Sequence, residues 1–281
     1  MLGVIFMERK LVKQGRDALT VTLPVKWIQQ KGLKAGNSVN LEIKDSSIIV
    51  SAGALSKHSE ISLNVTGFER SMIWHTILGA YISGYDSISI THDNPSIIQY
   101  HSRFLIGMIL EKHTATKSIL RSMIAVPESD ISSILRRIGH MFGQLALSVE
   151  DLSKGKLTIE DVKDQERLLD TNIYYCFRFI NKYNTQQDSY RHFLLCSTIE
   201  SAGDVLVQIA KRIKKDSKLA NTIAVNCAEY SKCLYSNDFE KAYSVLRTFR
   251  NKLEQKTFVE GLTFELAEIL YNYVGYLVKK Y

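Results

Sequence analysis

The pattern of hydrophobic and polar positions divides this chain into three sections. Residues 8–14 (ERKLVKQ) alternate apolar with polar, and ALTVTL (18–23) is rich in β-branched residues, so both read as strands about a Gly15-Arg16-Asp17 turn. Pro24 follows, a residue favoured at the first helical position, and VKWIQQK predicts a short helix stopped by Gly32. After a Gly36-Asn37 turn, SVNLEIK (38–44) and SIIVSA (47–52) predict two more strands about Asp45-Ser46. A fragment this small cannot bury much by itself and is expected to dimerise to complete its core.

The pattern changes after residues 53–57 (GALSK). ISLNV (61–65) and SISIT (87–91) read as strands. Between them, 67–83 predicts a helix with Phe68, Met72, Ile73, Ile77 and Ala80 on one side, ended by Gly84. Asp93-Asn94-Pro95 opens a second helix expected to run to about Met108, and 109–124 holds one or two strands. Strands alternating with helices predict a small α/β domain closed by Pro127. From 128 onward there is no proline and no strand period. Amphipathic runs cover 128–153, 158–183, 188–215, 217–236, 238–257 and 260–280, with breaks at 154–156, 184–185, 216–217, 237–238 and Gly261. Long helices on short links predict an antiparallel bundle.

Composition sharpens this picture in two places. No uninterrupted apolar run reaches 18 residues and the first ten residues lack a basic n-region, so neither a spanning helix nor a signal peptide is expected; Met7 is a plausible start. Cys176, Cys196, Cys227 and Cys233 form no C-x-x-C pair and read as reduced thiols of a cytoplasmic protein. The net charge is +7, and residues 7–50 hold eight basic and four acidic side chains, so +4 of it lies near one end. That is an electrostatic footprint for a polyanion, or an ordinary solvated basic face.

The chemistry-bearing pattern lies in the bundle. Val162, Leu169, Ile173, Phe177 and Ile180 make one helical stripe, and Glu166 and Asp170 fall inside it. In the next helix Phe193, Cys196 and Val207 share a stripe with Glu200 and Asp204. Two carboxylate pairs four residues apart among apolar neighbours would repel and take up protons. A multivalent cation held by oxygen ligands removes that problem. The alternative is a bundle edge, with the acids solvated or paired with Lys163, Arg167, Arg178 or Lys211. No P-loop, H-E-x-x-H or G-x-S-x-G is present, five of the seven histidines (His75, His92, His101, His113, His140) are dispersed through the middle and the start of the bundle, and no general base stands outside the cation ligands, so no enzyme is expected.

Two resemblances extend these readings. Ile199-Glu200-Ser201-Ala202-Gly203-Asp204-Val205 with Ile209-Ala210 resembles the E-R-I-G-D-x-A-x-N-I-A motif of the phosphate-uptake regulator (PhoU) family. Val162, Glu166, Asp170, Tyr174 and Arg178 are similar to the preceding V-x-x-x-E-x-x-x-D helix of its archaeal members. That resemblance implies a metal or metal cluster on Glu166, Asp170, Glu200 and Asp204, although Thr171 and Ser201 replace the usual arginines. It also implies a second three-helix repeat, which here carries no clear E-x-x-x-D.

Residues 10–24, then Trp27, Lys31-Gly32-Leu33 and Gly36-Asn37-Ser38-Val39, resemble the AbrB/SpoVT/MazE family of swapped-hairpin DNA-binding barrels, with Gly-Asn for the usual Gly-Asp. The resemblance implies interlocked chains with Arg9, Lys10, Lys13, Arg16 and Lys26 facing DNA.

The resulting expectation is a multidomain α+β protein. It has a dimeric swapped-hairpin β-barrel (7–53), a small α/β domain (59–126) and a PhoU-like antiparallel helical bundle (128–281). Its expected role is a DNA-binding transcriptional regulator linked to phosphate homeostasis, with a divalent or trivalent metal ion (Mg, Mn, Fe, Zn or Ca) in the bundle. Its expected partners are double-stranded DNA, a second copy through the barrel, and a phosphate-transporter component or signalling protein, with no membrane insertion. The alternative is a regulatory protein that binds such a partner without binding DNA, the barrel serving as dimeriser.

Overall fold

A computed structural model of the chain describes residues 8–16, 18–44, 47–52, 59–123, 131–183, 189–213, 216–236 and 238–274. The expected start at Met7 and the closing Pro127 lie outside them. The chain divides into two compact units, residues 1–57 and 58–281.

In the first unit, β1 (Val12–Gln14) pairs antiparallel with β2 (Ala18–Thr20) across Gly15, whose φ of +77° suits a residue without a Cβ. Pro24 stands just before helix α1 (Val25–Gln30), as its N-cap and not inside its first turn. The helix closes on Gly32: Gly32 N donates to Gln29 O, and Leu33 N donates to Ile28 O. This doubly bonded stop is the one a left-handed glycine permits. β3 (Val39–Lys44) and β4 (Ser47–Ala52) form a second antiparallel pair.

The barrel expected over 7–53 is not closed in this chain: among the described residues these strands make two separate two-stranded sheets. No described side chain of the unit is buried. Leu11, Val12, Leu19, Val21, Leu41, Ile43 and Ile48 all face solvent, Ile43 with 79% of its surface exposed. Two hairpins have apolar faces but no opposing layer to bury them against.

The second unit opens with a four-stranded sheet in the order β5-β6-β8-β7: β5 (Glu60–Asn64), β6 (Ser87–Thr91), β7 (Met108–His113) and β8 (Lys117–Ser122). β5 and β6 are parallel and joined through helix α2 (Arg70–Ile82); β8 is antiparallel to both β6 and β7. Ile73, Ile77, Ala80 and Tyr81 of α2 pack on Ile88, Ile90 and Leu120 of the sheet, whereas Met72 points to solvent. Helix α3 (Pro95–Ser102) is capped by Asn94, which accepts from Ile97 N. It ends earlier than expected. Turns occupy 103–107, Gly107 has φ +79°, and Met108 already begins β7.

Six described helices follow: α4 (Ile131–Ser153), α5 (Ile159–Tyr183), α6 (Ser189–Ala210), α7 (Ser217–Ser236), α8 (Phe239–Asn251) and α9 (Phe258–Val274). α4, α5 and α6 pack against one another, α8 bridges α7 and α9, and the two sets meet through α4 on α7 and α6 on α9. Phe142, Leu145, Leu169, Ile173, Leu206, Tyr230, Leu246 and Leu270 share one core. Gly261 is inside α9 and not a break; the break falls at 252–257, where Gln255 takes φ +53°. Among the described residues, α6 is long and apolar enough to cross a membrane by length and composition, yet half of that stretch is buried in the bundle. Burial of this kind is what the core helix of a bundle shows.

Candidate functional site

The facing surfaces of α5 and α6 build the site. Phe177 lies against Phe193 (ring centroids 4.6 Å apart), and a Cβ on Gly203 would sit 3.3 Å from Leu169 Cδ2. Residue numbers rise on one helix as they fall on the other, so the two run antiparallel. Gly203 and Ala202 let the backbones approach closely at the level of Glu166 and Asp170. The stripe Val162, Leu169, Ile173, Phe177 and Ile180 is buried as its spacing predicts.

All four predicted acids come together here. Glu166, Asp170 and Glu200 are half-buried and Asp204 is exposed, which places the cluster at the rim of the core. Asp204 therefore does not share the buried stripe expected for it. Burial first, then the charges of Glu166, Glu200 and Asp204, push the Asp170 carboxyl up to about 9. Burial and the neighbouring Asp204 raise Glu166 and Glu200 as well. Glu166 shares side-chain hydrogen bonds with both Asp170 and Asp204.

Three of the four expected counter-ions are engaged elsewhere. Lys163 pairs with Glu160 and Arg167 with Asp164, while Arg178 donates to the carbonyls of Tyr81 and Tyr85 at 2.7 and 2.9 Å. Among the described residues none of the four acids forms an ion pair. Their oxygens are therefore open to a hard cation, which would replace the shared protons. No group of three or more His, Cys, Asp or Glu among the described residues already has metal-holding geometry.

Tyr174, one turn beyond Asp170 on α5, meets the edge of Trp74 from α2 at 5.9 Å, and Trp74 stacks on His101 at 4.9 Å. Burial first, then Asp170, Glu200, Glu166 and Asp204, raise the Tyr174 phenol. The acid cluster thus borders the α/β part of the same unit.

Sequence reasoning missed a second constellation. His92 and His113, 21 positions apart in the chain, both point at the buried Ser118 hydroxyl, at 2.7 and 2.8 Å. Only the β6-β8-β7 order brings them together, and no sequence spacing reveals it. Burial lowers the His92 pKa, with His113 adding to the effect, and burial followed by Arg70 lowers His101 to about 4.

Arg9, Lys10, Lys13, Arg16 and Lys26 are all exposed, on the lead into β1, on β1, in the following turn and on α1. The four cysteines are buried and free. Compared with known proteins, the chain matches no family model, no curated protein and no solved structure.

Proposed function

We propose that this protein is a DNA-binding transcriptional regulator of the PhoU-like type, its N-terminal unit dimerising to bind DNA and its bundle holding a metal ion. The observation that carries the reading is the N-terminal unit. It concentrates basic side chains, none of its described side chains is buried, and several apolar ones, Leu41, Ile43 and Ile48 among them, are exposed. A second copy supplying two more hairpins would bury those residues and complete a barrel. Arg9, Lys10, Lys13, Arg16 and Lys26 would then contact the phosphates of double-stranded DNA, which give affinity and little sequence discrimination.

The donor set of the bundle fits a cation: four carboxylates, no soft ligand, and no ion pair among the described residues. Glu166, Asp170, Glu200 and Asp204 would hold it, and its positive charge would replace protons at a rim that is costly to ionise. The link to phosphate homeostasis rests on the motif resemblance of α5 and α6. The proposal assigns no catalytic step.

DNA affinity measured by fluorescence anisotropy on a mixed-sequence duplex is expected to fall steeply with salt. Combined Arg9→Ala, Lys10→Ala and Arg16→Ala should abolish it; unchanged binding overturns the DNA reading. A stable dimer without DNA affinity at low salt favours the interaction-protein alternative. Metal content by elemental analysis should vanish when all four acids are neutralised.

A further inference from the structure

Positive charge is concentrated in a second place along this chain. Residues 211–218 (KRIKKDSK) hold five basic side chains and one acidic, a net +4. Taken with the +4 of residues 7–50 and the total of +7, that leaves the rest of the chain at −1. The run joins α6 to α7, and the packing of α6 on α9 sets its start beside the start of α9. Arg212 lies over the Phe258 ring at 5.4 Å, while at the other end of the same helix pair Tyr273 Oη donates to Arg191 O at 2.7 Å. α6 and α9 are therefore antiparallel, and the α6–α7 and α8–α9 connections share one end of the bundle.

The acids at this end are already committed. Asp216 Oδ1 accepts from Leu219 N at 3.0 Å and caps α7. Glu260 Oε2 accepts from Thr257 N at 2.8 Å in the first turn of α9, and Glu254 pairs with Lys256. At the α4–α5 turn, Glu150 takes Lys154 and Asp151 takes Lys156. Lys211, Lys218 and Lys252 are exposed and, among the described residues, form no ion pair. Lys211 and Lys252 follow the last residues of α6 and α8, where a cation suits the negative pole of the helix. Lys218 has no such excuse: it lies in the first turn of α7, where the macrodipole disfavours a cation. Phe258 shows 68% of its surface. A single exposed ring means little by itself. Set among unpaired cations at the end of a bundle, it has the make-up of an interfacial anchor.

We propose that this end of the bundle docks on an anionic lipid surface, with Lys211, Arg212, Lys218 and Lys252 meeting lipid phosphates while Phe258 enters the headgroup layer. The protein lies on the membrane by its helix ends and does not span it. The pairing of two chemistries favours lipid over other polyanions. A nucleic-acid duplex offers phosphates to the lysines but no apolar layer to the ring. A headgroup layer offers both, and a guanidinium lying across a phenyl ring, as that of Arg212 does, reaches phosphate while the ring stays at the acyl boundary. The proposal is independent of the DNA reading, because every residue in it belongs to the second unit.

Flotation of the full-length protein with liposomes tests this. Phosphatidylcholine vesicles containing about 30% phosphatidylglycerol should bind the wild type and release it as salt rises, and pure phosphatidylcholine should not hold it. Lys211→Gln with Lys218→Gln and Lys252→Gln should weaken that binding about a hundredfold, at about fivefold per lysine. Phe258→Ala should weaken it about tenfold. In Phe258→Trp, brominated acyl chains should quench fluorescence that the wild type, with Trp27 and Trp74 alone, does not lose. Arg9→Ala with Lys10→Ala and Arg16→Ala should bind the vesicles as the wild type does. Loss in that N-terminal variant with retention in the triple-lysine one overturns the proposal, as does a wild type that ignores anionic vesicles. A triple-lysine variant that keeps its vesicle affinity and loses affinity for a DNA duplex assigns the patch to nucleic acid and overturns it equally.

Discussion

Replacing Asp170 with asparagine removes one acid from the cluster without changing its shape. The amide can donate to Glu166 as the protonated carboxyl does. In the folded protein, burial and then Glu166, Glu200 and Asp204 raise Asp170 from 3.8 to about 9. The sign follows directly. Above pH 4 the unfolded chain releases this proton while the folded chain keeps it, so stability is full below the unfolded value and falls as pH climbs toward the folded one. Between pH 7 and 8.5 the loss comes to about 2 kcal/mol, from about 1.4 kcal/mol per pK unit and a folded titration centred near 9. His92 and His101, whose lowered values make them neutral in this range, do not mask it. Urea unfolding of chelator-treated protein at pH 7, 7.75 and 8.5 should show wild-type stability declining more steeply than that of Asp170→Asn. The gap between the two curves should widen as pH rises, with Asp170→Asn the more stable. Parallel curves would refute the argument, because the carboxyl would then have ionised in the fold without penalty.

Three further outcomes are expected. Arg178→Met leaves the carbonyls of Tyr81 and Tyr85 without that donor and should cost about 3 kcal/mol in urea unfolding; a loss below 0.5 kcal/mol, roughly the scatter of surface substitutions, argues against the clamp. Gly84→Ala places a Cβ at φ +91° and 3.1 Å from Lys182 Cβ, so it should lower the melting temperature by several degrees, from a cost of about 1–3 kcal/mol. Ile43→Asp with Ile48→Asp, two exposed residues of the hairpin pair, should turn a dimer into a monomer in sedimentation at micromolar concentration; a monomeric wild type removes the basis for the N-terminal assembly.

Much of the fold is written in local pattern. The SISIT strand and the helices around Glu166 and Glu200 follow from period 2 and period 3.6, although each is covered by more than one neighbour. The errors fall where local signals compete. Gly261 looks like a stop but is tolerated inside α9, whereas the true break at 252–257 holds no proline or glycine. The end of α3 at Ser102 reflects the sheet's demand for Met108 in β7, a tertiary constraint that propensity does not carry. The acid pairs were legible because i,i+4 spacing places carboxylates on one face. That Asp204 sits in solvent was not, since one helix does not reveal how deeply its neighbour covers it. The grip of Arg178 on Tyr81 and Tyr85, across more than ninety residues, has no local signature at all.

The Ser118 hydroxyl lies between two imidazoles and has a single hydrogen to give. It can accept from both rings, but it cannot donate to both, so at least one facing nitrogen must carry its own proton. His92 Nδ1 is enclosed with no partner, and a bare lone pair there is cheaper than a stranded N–H. His92 therefore settles as the Nε2–H tautomer and donates to Ser118. Ser118 is then left to donate to His113 Nδ1, and the proton of that ring moves to its Nε2. The hydrogen order runs outward from the enclosed ring to the solvent-facing one, and the tautomer of a surface histidine is dictated from inside the sheet.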